Sequence, residues 1–302
     1  MDQPPTDTFA VGSQFYKDTL RKETFYLKVK AAARSEVEKE ALEKFVIPEG
    51  ILIDADMPPE PPELIPGILL TYGATAIIGM KESGKSLCAL EIQHALLTGE
   101  KLWGSIKPAK LIEKSTHFLA EHASPVLMGL YKRTGLSNTG RLKIFGPEHL
   151  GPMKLLVSNG TRREEAVSFY KRLAEGSGLV VFDPLAAFIQ GQSSENDNVP
   201  MRSLIDAMIE ISTSTGAACL VLGHQGKPQF FQGKQMKRSS YATRGASSTE
   251  DALTAVHYLD RESGVTIDGC PVYELKPVHF KGTKAASFHL LRDPKSCRHT
   301  LR

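Results

Sequence analysis

Residues 79–86 read GMKESGKS, two glycines with four residues between them followed by Lys85 and Ser86. This fits G-x-x-x-x-G-K-[ST], a pattern loose enough to arise by chance, so its flanks decide what it means. Before it stands ATAIIG (74–79), an apolar run of strand length. After it stands SLCALEIQHALLTG (86–99), where Leu87, Leu90, Ile92 and Leu96 with Gly99 as a stop predict a helix. A turn between a buried strand and a helix is where such a motif works. The backbone N–H groups along Gly79, Met80, Lys81, Glu82, Ser83, Gly84, Lys85, Ser86 and Leu87 surround a nucleotide's phosphates. Gly79 and Gly84 allow the tight path, Lys85 reaches the terminal phosphates, and Ser86 coordinates Mg²⁺. The stretch is read as a P-loop with ATP and Mg²⁺ as cofactors.

Outward from the loop the pattern strand, loop, helix repeats. THFLAE (116–121), GLVVFD (178–183) and AACLVLGH (217–224) are apolar runs of the kind that form central parallel strands buried on both faces. Between them REEAVSFYKRLAE (163–175) and PMRSLIDAMIEISTST (200–215) read as helices. The expected fold class is α/β, a mostly parallel central sheet flanked by helices, with ligand chemistry at the strands' carboxyl ends. ALTAVHYLDRE, CPVYELKPVHF and ASFHLLRD are expected as shorter, antiparallel strands at the C-terminal edge.

Upstream, residues 14–45 mix both charge signs with Leu20, Leu27, Val37, Leu42 and Phe45, which predicts one or two amphipathic helices. They form either a solvated appendage or an arm joining protomers. The prolines at 58, 59, 61, 62 and 66 cannot continue a helix or a central strand. The expected organisation is a helical N-terminal arm and linker over 1–57 and an ATPase domain over 58–302.

Composition narrows the class. With 302 residues, 41% of them hydrophobic, the chain can bury a full core. It contains no apolar run of about 18 residues, and MDQPPTDTFAVG lacks the basic and apolar regions of a secretory signal. A cytoplasmic protein without membrane association is expected. Cys88, Cys219, Cys270 and Cys297 form no C-x-x-C and read as reduced structural thiols. A formal charge of +3 does not by itself imply nucleic acid, so any basic footprint must be local.

Three strand ends carry candidate chemistry. Asp183 closes GLVVFD, where a carboxylate holds the metal's water shell; a turn aspartate before Pro184 is the bland alternative. Glu121 closes THFLAE, in position to orient water beside the γ-phosphate, with His122 next to it. His224 and Gln225 follow the last apolar run, where they can sense the γ-phosphate and pass its loss to the loop beyond. That loop, GKPQFFQGKQMKRSSYATR (226–244), has no acidic residue and interleaves Lys227, Lys234, Lys237 and Arg238 with Phe230, Phe231 and Tyr241. Cations for phosphates and aromatic faces for bases suit single-stranded nucleic acid. An unspecialised polar loop is the other reading.

GMKESGKS, FLAEHASP, VVFDPLAAF, VLGHQGK and TRGASSTEDALTAV, in this order, resemble the RecA-like ATPases of the RepA type, relatives of the hexameric replicative helicases and of the KaiC and RadA ATPases. The resemblance covers about residues 62–292. It implies a RecA-like P-loop core of bacterial, plasmid or phage context, assembled as a homo-oligomeric ring, a hexamer. ATP would lie between subunits, single-stranded DNA in the channel, and primase or other replication proteins would be partners. Lys85 and Ser86 match the nucleotide-loop pair, Glu121 the catalytic glutamate, Asp183 the metal-site acid, and His224 with Gln225 the motif before the DNA loop. Arg244 matches the arginine inserted into a neighbour's site, and Lys276 and Lys281 resemble a late basic finger region. The implied activity is an ATP-driven helicase or translocase in DNA replication. A recombination mediator of the RadA class and a regulatory ATPase acting on a protein partner are the rival functions.

Overall fold

The P-loop strand is the axis of the sheet. In the computed structural model, described residues are 36, 63–136, 139–157, 161–190, 198–224, 230–231, 234–235, 252–282 and 286–302, with the backbone alone for 198–199, 230–231 and 234–235. The arm expected over 14–45 lies outside them except for Glu36, which is helical. Contacts divide the chain between Met57 and Pro58, and the sheet and the P-loop belong to the second unit.

The strands are β1 (Glu63–Ile65), β2 (Leu69–Leu70), β3 (Ala74–Gly79), β4 (Ser115–Leu119), β5 (Leu142–Phe145), β6 (Leu179–Asp183), β7 (Ala218–His224), β8 (Phe230–Phe231), β9 (Lys234–Gln235), β10 (Ala255–Ile267), β11 (Cys270–Phe280), β12 (Phe288–Arg292) and β13 (His299–Leu301). The helices are α1 (Lys85–Thr98), α2 (Ser124–Arg133), α3 (Pro147–Leu150), α4 (Glu164–Ala174) and α5 (Asn198–Thr213). Nine strands form one sheet in the order β13-β12-β11-β10-β3-β7-β6-β4-β5. From β10 to β5 every neighbouring pair is parallel, and from β10 to β13 every pair is antiparallel.

The expected fold class is the one observed, and the C-terminal strands differ from expectation in two respects. β10 and β11 are the longest strands, at 13 and 11 residues, and β10 pairs parallel with β3 before the sheet turns antiparallel. The alternation of strand side chains divides the core into two layers. Ala76, Ile78, Phe118, Val180, Phe182 and Val221 face α4 and α5. Ile77, Leu179, Val181, Leu220 and Leu222 face α1. Because α1 is covered nearly all round, it shows almost no polar stripe, and even Glu91, Gln93 and His94 are buried. Such polar groups need partners, and the ones they find tie α1 to the rest of the site.

On the other face Phe118 is fully buried with ring centroids 4.9 Å from Tyr170, 5.4 Å from Phe182 and 5.8 Å from Phe145. This aromatic cluster fastens α4 beneath β4 and β6, the two strands that end in the site's carboxylate region.

Candidate active site

Register sets the site. Gly79 at the end of β3 pairs with His224 at the end of β7, and Leu119 at the end of β4 pairs with Asp183 at the end of β6. The Ala120 amide then donates to the Asp183 carbonyl at 2.8 Å, which brings Glu121 out at the same edge. Four separate apolar runs thus deliver the P-loop, Glu121, Asp183 and His224 to one side of the sheet.

The loop is held from within. Lys85 donates from Nζ to the carbonyls of Gly79 (3.0 Å) and Met80 (2.7 Å), so its ammonium lies across the loop's mouth. Burial lowers its pKa below the usual lysine value, against the opposing pull of the Asp183 and Glu121 carboxylates. Gly84, at the N-cap of α1, has φ 95°, a conformation that favours glycine, and no side chain caps the helix. The first-turn amides, Lys85, Ser86 and Leu87 among them, are therefore left for an anion. The Ser83 hydroxyl is buried without a hydrogen-bond partner. Lys81, Glu82, Gly84, Lys85, Ser86 and Leu87 line a cleft of about 470 Å³ together with Glu121, Asp183 and His224. Met80 is exposed, and the Leu87 side chain is mostly core.

Asp183 is 5% exposed. Burial alone would raise its pKa, but a hydrogen bond and charge from His117, the Ser86 hydroxyl and the Lys85 ammonium together hold it below the usual carboxylate range. An ionised, buried carboxylate beside a serine hydroxyl is an oxygen donor set that fits Mg²⁺, which keeps several waters and needs only one or two protein ligands. Among the described residues there is no cluster of three or more His, Cys, Asp or Glu side chains able to hold a metal by themselves. His224 Nε2 lies 3.8 Å from Glu121 Oε2, so the two lie side by side at the cleft wall.

Two features escaped the sequence reading. His117, in the middle of β4, approaches Asp183 Oδ2 through Nε2 at 3.4 Å and donates from Nδ1 to Gln93 Oε1 at 2.9 Å. Gln93 donates to Ser115 Oγ at 2.8 Å, and Ser115 to the Leu179 carbonyl at 3.1 Å. This buried line of donors fixes the ring behind the carboxylate; its only sequence signal is a polar residue inside an apolar run. Arg292, the last residue of β12, also lines the cleft. No local pattern marks it.

The remaining expected residues divide by whether they are described. Gln225, Lys227, Lys237, Arg238, Tyr241 and Arg244 lie outside the described residues. Phe230, Phe231 and Lys234 are described in backbone only, as the antiparallel ladder β8–β9. Lys276 is opposite Tyr258, which pairs with Ile78 toward the P-loop end of β3, whereas Lys281 follows Phe280 at the opposite end of the strands.

A strand, an uncapped P-loop helix and an acid at the end of the next strand but one are accompanied by a family match over residues 49–229, to the model described as AAA domain. The chain belongs to the AAA domain family. It is a P-loop ATPase with a RecA-like core, of a family that binds nucleotide with a divalent metal. The fold is similar to that of a solved ATPase domain, at TM-score 0.53 and 10% identity, with 76% of this chain and 84% of that chain covered. No curated protein matches the chain in sequence. No helix among the described residues is long and apolar enough to cross a membrane.

Proposed function

We propose that this AAA-domain ATPase is a ring-forming motor of the helicase type, which couples Mg-ATP hydrolysis to translocation along single-stranded DNA. One observation carries the reading: Glu121 and His224 adjoin at the cleft wall, and His224 opens directly into the basic, aromatic segment 226–244. A group at the γ-phosphate end is thereby continuous with the segment whose composition suits a nucleic-acid strand.

In this reading the α1 amides and Lys85 hold the phosphates, while Ser86 and Asp183 hold Mg²⁺. The metal supplies charge neutralisation on the phosphoryl oxygens. Glu121 orients water for attack on the γ-phosphorus as the bond to the ADP oxygen breaks. His117 keeps Asp183 in place from behind. Arg244 of a neighbouring subunit neutralises the developing charge, so turnover depends on assembly. Loss of phosphate is passed through His224 and Gln225 to Lys227, Phe230, Phe231, Lys234, Lys237 and Arg238.

The test is ATP turnover with and without single-stranded DNA, alongside mass in solution with ATP. Stimulation by DNA, loss of turnover in Lys85→Ala, and an Arg244→Ala protein that binds ATP without hydrolysing it are expected. Glu121→Gln lowers turnover by about 100-fold or more while nucleotide still binds. Full activity in a dilute monomer refutes the neighbour's arginine. Turnover indifferent to DNA favours a regulatory ATPase, and a DNA-coating filament without unwinding favours a RadA-like mediator.

A further inference from the structure

We propose that Arg292 is a nucleotide contact contributed in cis by the C-terminal strands, directed at the nucleoside end and not at the γ-phosphate; this rests on the reading of the cleft as an ATP site. The topology places it there. β10 runs parallel to β3, β11 runs back, and β12 returns, so the carboxyl end of β12 comes to the same sheet edge as Gly79, Asp183 and His224. Arg292 ends β12 and pairs with His299, which begins β13 at that edge.

The approach to the loop is close. A methyl carbon built on Gly84 would stand 3.7 Å from Arg292 Nη1 and 3.6 Å from His299 Cε1. In sheet order β7 and β6, which end in His224 and Asp183, and β4, which Glu121 follows, lie on one flank of β3, and β10 to β13 lie on the other. A nucleotide with its terminal phosphate toward Lys85 and the acids therefore extends its opposite end toward Arg292. The guanidinium is partly buried beside Tyr273 and Cys297, so it is held in direction. Its plane and its spare N–H donors suit a base face or a ribose oxygen.

His299 backs this wall. It is 2% exposed, and its ring donates from Nδ1 to Glu91 Oε2 at 2.8 Å. Its main-chain amide donates to Glu91 Oε1 at 2.7 Å, and Trp103 donates to Oε2 at 2.9 Å. Glu91 belongs to α1, the helix that the P-loop opens, so the wall and the loop are braced as one piece.

Calorimetric titration of the full chain with ATP, ADP and inorganic tripolyphosphate, each with Mg²⁺, tests the assignment. Arg292→Ala is expected to weaken ATP and ADP alike, by about tenfold, and to leave tripolyphosphate binding unchanged. Arg292→Gln, which keeps most of the side chain's packing, gives the same pattern if the alanine variant does not fold. Weakening of tripolyphosphate by the same factor means that Arg292 acts on the phosphates or the loop and overturns the proposal. Loss confined to ATP assigns it to the γ-phosphate and also overturns it. Unchanged ATP and ADP affinities refute the contact while leaving the P-loop reading intact, whereas an unsubstituted protein that binds none of the three removes the reading itself.

Discussion

Lowering the pH from 7 to 5 puts a load on His257, at the seam where the parallel sheet meets its antiparallel extension. The side chain is fully buried on β10, with Nε2 donating to the Ile68 carbonyl at 2.9 Å and Nδ1 without a partner. A second proton would have to sit on Nδ1, facing no acceptor. Burial accordingly pulls the pKa from 6.5 to about 4, although the Ile68 bond opposes the shift. The sign follows: below 6.5 the unfolded chain takes up a proton that the folded chain refuses, so stability falls as pH drops toward 4 and levels off beneath it. Between pH 7 and 5 the loss is about 2 kcal/mol, with a limit of about 3 kcal/mol at lower pH. Equilibrium urea unfolding of the native chain and of His257→Gln, which keeps an N–H for Ile68, isolates the effect, since other titrating groups are common to both. The variant is less stable at pH 7, and the gap narrows by about 2 kcal/mol at pH 5. Parallel pH profiles for the two proteins would falsify the buried neutral histidine.

Two further substitutions probe the loop and its support. A methyl carbon at Gly79 would lie 2.4 Å from the Leu259 carbonyl and 2.7 Å from Ser83 Oγ; Gly79→Ala should cost about 1–3 kcal/mol and weaken ATP binding, read by thermal melting and nucleotide titration. An unchanged melting point would show that β10 yields at that contact. Phe118→Ala leaves a cavity among Tyr170, Phe145 and Phe182 and should cost about 3–5 kcal/mol in urea unfolding; a loss below about 1 kcal/mol would mean that α4 collapses onto β4.

The parts of the site legible in the sequence are those where a long apolar run ends in a polar residue. ATAIIG coincides with β3, and Asp183 and His224 close β6 and β7. A strand buried on both faces is mostly apolar, so the polar residue that closes such a run marks its end at the sheet edge, as at Asp183 and His224. β5 was not legible: LKIF is a short, half-exposed edge strand without alternation. Nor was α2, whose start is hidden among the turn-forming residues EHASP. The parallel pairing of β10 with β3 joins segments about 180 residues apart, and hydropathy carries no information on which strands become neighbours. His117 and Arg292 share this property, because each acquires its role only when another strand lies beside it.

The Glu91–His299 contact also sets an order of events in synthesis. Its partners are 208 residues apart, so an emerging chain completes the P-loop helix long before the strand that supplies two of its carboxylate's donors exists. Until then Trp103 Nε1 alone among these donors can reach the carboxylate, so burying α1 against the sheet costs more than in the finished chain. Addition of β13 completes the set of donors that brace α1. A nascent chain stalled before residue 299 is expected to hold the P-loop helix without the two donors that His299 supplies to Glu91.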